Sequence, residues 1–326
     1  MCSIIKERKP LVLISHKKIL FLFISTLLLS INSFAQDYTK EVVKLWDKNN
    51  IPFNKKNITL KEIVDSTGRR ISQISEPVLY VYRKKNTNSV GAAIMYCPGG
   101  GYTNVSLAND GEGFAANFLK MGFDVVAVLK YRLPDPRIVN EQENIPLCDA
   151  QKALSLLHQN AKKWQINRNK IAISGGSAGG HLAASLANLK DKIVAPGVKS
   201  NELKQAVSIL MYPVVTFNLP HRHEGSYNKL LGDKSNDQTL IDYYSMENKV
   251  SKKTPPTFVV HAKDDQTVTY LNSRIYIDSL NKYQIKNKYV ELDKGGHGFV
   301  FDFKKTGVDW TIELAQWLQN ETDLFK

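Results

Sequence analysis

Along most of this chain, short runs of apolar residues alternate with longer stretches in which apolar positions recur every three or four residues. The segments ISQISEPVLYVYR and VGAAIMYC read as strands divided by the turn-like KKNTNS. Then DGEGFAANFLKMG has a helical pattern and FDVVAVLKY a β pattern. In LCDAQKALSLLHQNAKKW the apolar residues fall at 147, 150, 153, 154, 157, 161 and 164, one face of a helix. The strand NKIAIS, the helix HLAASLANL and the strand QAVSILMY follow. After them come TFVVHA (strand), YLNSRIYIDSLNKY (helix), KYVEL (strand) and GVDWTIELAQWLQ (helix). Strands alternating with helices imply βαβ units, so the expected class is α/β: a mostly parallel central sheet with helices on both faces. Two stretches break the rhythm. DYTKEVVKLWDKNN is polar and amphipathic, expected as a short helix or partly ordered arm. The segment from Pro213 to Thr257 is expected to be irregular, and a loop that long inside a compact domain is usually functional.

The N-terminus has a different pattern. Lys6, Arg8, Lys9, Lys17 and Lys18 precede the uncharged run ILFLFISTLLLSINSFA, Ile19 to Ala35. A basic segment, an apolar segment and small residues at Ser33 and Ala35 mark a secretory signal cleaved before Gln36. Its strongly apolar part ends at Leu29, short of the ~20 residues that span a bilayer. The expected organisation is therefore a signal peptide over 1–35, an N-terminal arm over 36–70 and one α/β domain over 71–326. The expected location is periplasmic or extracellular, with no stable membrane insertion once the signal is removed.

Charge looks unusual until that segment is set aside. The 326 residues carry 44 basic and 31 acidic side chains, a net of +13; without the five basic residues and Glu7 of the leader the net is +9. The basic residues are scattered in pairs, with neither aromatic–basic interleaving nor a recognition-helix motif, so nucleic acid is not the expected partner. Hydrophobic residues at 43% and charged residues at 23% are ordinary for a globular protein. Of three cysteines, Cys97 and Cys148 lie outside the leader, and a disulfide between them stays open.

The strongest chemical signal is Gly175-Gly176-Ser177-Ala178-Gly179, a G-x-S-x-G between an apolar strand and a helix. A nucleophile raised on a sharp turn adopts strained backbone angles, and side chains beside it would collide with the adjacent helix and strand. A phosphate-binding turn is the competing reading, but no Lys-Ser/Thr pair follows the glycines. Serine needs a base, and the base an orienting acid, in the chain order Ser, Asp/Glu, His. His297, among glycines in KGGHGF, is the candidate base. Asp264 and Asp265 follow the strand TFVVHA, and the D-x-x-V spacing to Val268 favours Asp265. The oxyanion donors are expected at the Ala178 N–H and at Gly100 or Gly101 in CPGGGY, where successive glycines let backbone approach the substrate.

These residues resemble the α/β-hydrolase superfamily. Within it PGGGY, EGFAANFLKMGFDVVAVLKYRLP, GGSAGGHLA, PPTFVVHAKDDQTV and GGHGF look like bacterial carbohydrate esterases of the xylan acetyl esterase kind. The resemblance runs from about Val78 to the C-terminus. Hormone-sensitive-lipase-like esterases usually carry His before the three glycines; here Pro98 stands there. The resemblance implies Ser177 as nucleophile, Asp265 as orienting acid and His297 as general base. It also implies an acylated polysaccharide or oligosaccharide, such as acetylated xylan, as substrate. No cofactor or metal is implied, and the remaining histidines form no H-E-x-x-H. Two other readings are a prolyl-oligopeptidase-like peptidase, for which the chain lacks the length of a propeller gate, and a non-catalytic glycan-binding module.

Phe217, Tyr227, Tyr243 and Tyr244 suit either a sugar-binding rim or plain surface loops. His221 and His223 are expected to be solvated, and His181 to make a structural bond at its helix start. Trp310 and Trp317 are expected in the core. Glu112 and Asp149 look like first-turn helix charges favoured by the dipole.

Overall fold

The computed structural model describes residues 37–326 apart from 57, 86, 88 and 89. The segment expected as a signal peptide, residues 1–35, lies outside the described residues. Among them, no helix is long and apolar enough to cross a membrane.

The strands are β1 (Tyr38–Lys44), β2 (Ile63–Val64), β3 (Arg70–Ser72), β4 (Val78–Lys84), β5 (Gly91–Cys97), β6 (Val105–Ser106), β7 (Val125–Lys130), β8 (Ile166–Gly176), β9 (Val207–Met211), β10 (Thr257–Ala262) and β11 (Asn287–Leu292). Eight form the central sheet in the order β1-β4-β7-β5-β8-β9-β10-β11, and β2, β3 and β6 form a small antiparallel sheet. From β7 to β11 every pairing is parallel; β1–β4 and β4–β7 are antiparallel. Every residue of β7, β9 and β10 is buried, as expected for strands covered on both faces.

The helices flanking this sheet are α1 (Glu112–Met121), α2 (Ile145–Gln159), α3 (Ala161–Trp164), α4 (Ala178–Asn188), α5 (Glu224–Leu231), α6 (Gln238–Tyr243), α7 (Leu271–Lys282), α8 (Phe303–Thr306) and α9 (Thr311–Glu321). Trp310 and Trp317 are buried, as their helical spacing suggested.

Three expectations are corrected. Residues 38–44 form a strand, not a helix or loose arm: they pair along all of β4, from Tyr38↔Lys84 to Lys44↔Val78. Thr39, Val42 and Val43 are β-branched, and the open edge of β4 offers a ladder of backbone partners that outweighs weak helical periodicity. The Tyr38 hydroxyl donates to Glu112 at the start of α1, securing the strand across the sheet edge.

The second correction concerns Asp149, which is no exposed dipole charge. It is fully buried, takes Arg132 Nη2 at 2.6 Å and Nε at 3.0 Å, and also accepts from the Trp46 indole N–H at 2.8 Å. Arg132 Nη1 donates onward to the Pro52 carbonyl and Asn54 Oδ1. A buried ion pair persists when each group is saturated with partners, and this one holds the segment after β1 against the end of β7 and α2.

The third concerns the stretch from Pro213 to Thr257, which contains α5 and α6 rather than an irregular loop. Its aromatics are not a rim. Phe217, Tyr227 and Tyr244 are buried, Phe217 stacking on His181 at 4.6 Å, while half-buried Tyr243 sits between the Lys192 and Lys249 ammonium groups. Both sequence readings, sugar rim and surface loop, fail for the buried three, because this segment packs its aromatics into the main hydrophobic core. Cys97 and Cys148 are free and buried, and burial pushes both thiols up to about 12, which leaves them unreactive.

Candidate active site

The turn between β8 and α4 is built from glycine for steric reasons. A Cβ on Gly179 would lie 2.1 Å from the Cys97 carbonyl, and one on Gly175 would lie 2.1 Å from the Gly179 carbonyl. The packing of α4 against the sheet therefore excludes any larger residue. Ser177 at the apex has φ 57° and ψ −126°, a sparsely populated conformation costing about 1–3 kcal/mol. It is clamped from both sides: its N–H donates to Met211 O, and its carbonyl accepts from His181 N and Val214 N.

The structure brings the other two candidates to it. The Ser177 hydroxyl lies 2.9 Å from His297 Nε2, and His297 Nδ1 lies 2.6 Å from Asp265 Oδ2. Asp265 can only accept, so His297 carries its proton on Nδ1 and presents the Nε2 lone pair to Ser177. Burial raises the Asp265 pKa, but hydrogen bonds from His261 and His297, the positive potential of His297 and the Val268 N–H outweigh it. The carboxyl is held well below the usual carboxylate range. The alternative, Asp264, is exposed and accepts from Gly296 N at 2.8 Å; it steadies the histidine loop without touching the imidazole.

The remaining Asp265 valences are filled as well. Its Oδ1 accepts from the N–H groups of Thr267 at 2.8 Å and Val268 at 2.9 Å, the Asx-type contact behind the D-x-x-V spacing. Its Oδ2 takes a second partner, His261 Nε2 at 3.2 Å, which also reaches the Val268 carbonyl at 3.0 Å. The other His261 nitrogen meets the Ser273 hydroxyl at 2.7 Å. His261 is missing from the sequence reading. The signal was there: a histidine inside the otherwise apolar strand TFVVHA, four residues before the acid, must have a buried partner.

On the opposite side lies Pro98-Gly99-Gly100-Gly101. The Gly99 carbonyl accepts from Ser106 N, the Gly100 carbonyl from Thr103 and Asn104 N, and the Pro98 carbonyl from the Tyr131 hydroxyl. With the carbonyls committed, the N–H groups of Gly100, Gly101 and Ala178 have no protein acceptor among the described residues. Gly100 has φ 131°, and a Cβ there would meet the Asn104 carbonyl at 2.1 Å, so no other residue fits. This is a set of backbone donors free to receive a developing negative charge.

Two more residues complete the surroundings. The Tyr212 ring meets His297 edge-on at 4.9 Å, fixing the imidazole from the side. His223, expected to be solvated, is half-buried and caps α5, its Nδ1 accepting from Ser226 N.

His181 makes the structural bond expected of it. Its Nε2–H donates to Tyr244 O and its Nδ1 accepts from the Tyr102 hydroxyl, both at 2.8 Å. Burial lowers its pKa from 6.5 to about 4. A histidine neutral in the folded state but protonated when unfolded adds stability that is complete above pH 6.5. That stability is lost as pH falls toward 4, about 3 kcal/mol in all. Urea midpoints should therefore drop between pH 7 and pH 5 in the wild type and drop less in His181→Gln. Equal drops in both would refute this source of acid sensitivity.

Comparison with known proteins adds the following. The BD-FAE family profile matches residues 79–280. An acetylxylan esterase from Xylanibacter ruminicola is 33% identical over 72% of this chain and 46% of its own length. An endo-1,4-beta-xylanase B from Butyrivibrio fibrisolvens is 30% identical over 68% of this chain and 34% of its own. The chain thus spans less than half the length of these curated relatives. An acetyl ester-xyloside bifunctional hydrolase from Caldicellulosiruptor lactoaceticus superposes with a TM-score of 0.73 at 27% identity, covering 88% of this chain and 97% of that one.

Proposed function

The chain belongs to the BD-FAE family, within the α/β-hydrolase class, and from that premise we propose that it is a serine carboxylesterase removing small acyl groups, acetyl above all, from xylan-like polysaccharide. The observation that carries this reading is the continuous chain Ser177 Oγ–His297–Asp265, at 2.9 and 2.6 Å, facing backbone donors that have no acceptor among the described residues. The xylan-directed relatives support the substrate class.

In the proposed reaction Ser177 Oγ attacks the ester carbonyl carbon while His297 Nε2 takes the hydroxyl proton. The carbonyl oxygen becomes an oxyanion held by the N–H groups of Ala178 and of Gly100 or Gly101, each worth about 2.7–4 kcal/mol in the transition state. Collapse breaks the bond to the sugar oxygen, which leaves with the proton from His297, and the acyl group stays on Ser177. Water then enters. His297 takes its proton, the hydroxide attacks the acyl carbon, and the carboxylic acid departs as Ser177 regains its hydrogen. Asp265 holds the imidazole orientation throughout and stabilises the imidazolium. The leader-like residues 1–35 support an exported protein.

The test is acetate release from acetylated xylan, with 4-nitrophenyl acetate and a peptide amide as controls. We expect turnover of both esters and none of the amide. Cleavage of the amide without cleavage of acetyl esters would overturn the esterase reading in favour of a peptidase.

A further inference from the structure

Beside the triad lies a pocket of about 330 Å³, lined by His221, Arg222, His223, Gln266, Thr267 and Tyr270 together with Asp265. We propose that this pocket is a subsite for a neutral sugar unit on the alcohol side of the ester, with the His223 Nε2–H as its hydrogen-bond donor. The proposal rests on the esterase reading above and names where the glycan sits.

The tautomer of His223 follows from its neighbours. Its Nδ1 lies 3.1 Å from the Ser226 backbone nitrogen, and a backbone N–H can only donate. Nδ1 is therefore the acceptor and Nε2 carries the hydrogen. Burial lowers the pKa of this ring, which keeps that neutral form at pH 7. Nε2 has no protein partner among the described residues. The ring reaches the reacting centre: a Cβ on Gly101, in the oxyanion loop, would lie 4.0 Å from His223 Cε1. His297 and Asp265 both act electrostatically on its titration. A polar donor at that position without a partner is one that a substrate can use.

The chemistry of the walls selects the ligand. An acetyl methyl gains nothing from a lining this polar, which argues against an acyl pocket. A carboxylate is disfavoured because the nearby cations are already compensated. Arg222 Nε pairs with Glu224 at 2.7 Å while its guanidinium lies 4.1 Å from the Tyr227 ring centre, and Lys263 pairs with Asp293 at 2.7 Å. Hydroxyl groups fit what is left: a free N–H donor, the Thr267 and Gln266 side chains, and the half-exposed Tyr270 ring. The wall is held in place from below, where Asn272 Nδ2 donates to the His221 carbonyl at 2.8 Å.

The test separates the donor from the helix cap. Asparagine is a good N-cap, so His223→Asn preserves the Ser226 contact while its shorter amide cannot carry an N–H to the position that His223 Nε2 occupies. We expect His223→Asn to lose at least about ten-fold more kcat/KM on an acetylated xylo-oligosaccharide than on 4-nitrophenyl acetate, mostly through KM. His223→Phe, which keeps the ring but loses cap and donor, should show the same bias. Equal losses on both substrates in His223→Asn, or a glycan-specific loss in His223→Phe alone, would overturn the proposal. A binding titration of xylo-oligosaccharide into Ser177→Ala, with and without His223→Asn, reads the subsite without turnover. Weaker binding with the second substitution supports the subsite even if wild-type protein cleaves neither ester, in which case only the esterase reading fails. Unchanged binding there overturns the subsite.

Discussion

Ser177→Ala is expected to lower kcat on acetyl esters by roughly 10⁶-fold, the scale seen when a triad nucleophile is removed from a serine hydrolase. The expectation follows from the connectivity at its side chain. Among the described residues the one hydrogen bond to Oγ is that to His297, so deletion removes the proposed nucleophile and leaves the rest of the site assembled. The backbone of residue 177 is fixed by Met211, Val214 and His181, contacts that alanine retains. Thermal unfolding should therefore stay close to wild type. A residual rate of about 10³–10⁴ over water should survive, since the oxyanion donors remain. Single-turnover assays with 4-nitrophenyl acetate check this, and near-wild-type turnover in the variant would remove Ser177 from the mechanism.

The second large effect concerns the acid. Asp265→Asn should cost about 10⁴-fold in kcat, while Asp264→Asn should cost less than about ten-fold. Each Asp265 oxygen faces donors: Thr267 and Val268 N–H on Oδ1, His261 and His297 on Oδ2. An amide NH₂ therefore has no acceptor to meet on either side. Turned inward it opposes the His297 Nδ1–H and drives the proton to Nε2, where it blocks proton abstraction. Turned outward it opposes two backbone N–H groups. Asp264 differs because its one bond, from Gly296 N, can be taken by an asparagine Oδ1 equally well. Comparing kcat for the two variants decides the matter; comparable losses would mean that the acid is shared or misassigned.

Much of the site could be read in advance because its chemistry forces local sequence. A serine held at φ 57° between β8 and α4 requires small neighbours, and glycines at 175, 176 and 179 announce it. The donor loop requires a backbone at Gly100 that no side chain permits, and a left-handed one at Gly101 that glycine adopts without strain. The D-x-x-V spacing marked Asp265 because an Asx contact to Val268 N is itself a local structure. His261 left a fainter trace, one histidine in an otherwise buried apolar strand, and His223 and Tyr212 left none. Their roles depend on what the fold sets beside them: Ser273 and Asp265 for His261, the pocket beside Asp265 for His223, and the His297 ring for Tyr212.

The same division runs through the fold. Apolar periodicity by itself determined the βαβ alternation, the α/β class and the core positions of Trp310 and Trp317. It could do so because burial on both faces of a parallel strand demands continuous apolar runs. Tertiary structure alone decided that residues 38–44 pair with β4, that Asp149 meets Arg132 inside the protein, and that Phe217, Tyr227 and Tyr244 turn inward. In each case the partner is distant in the chain, and the balance was set by backbone pairing, charge compensation or packing that appears once the sheet has formed.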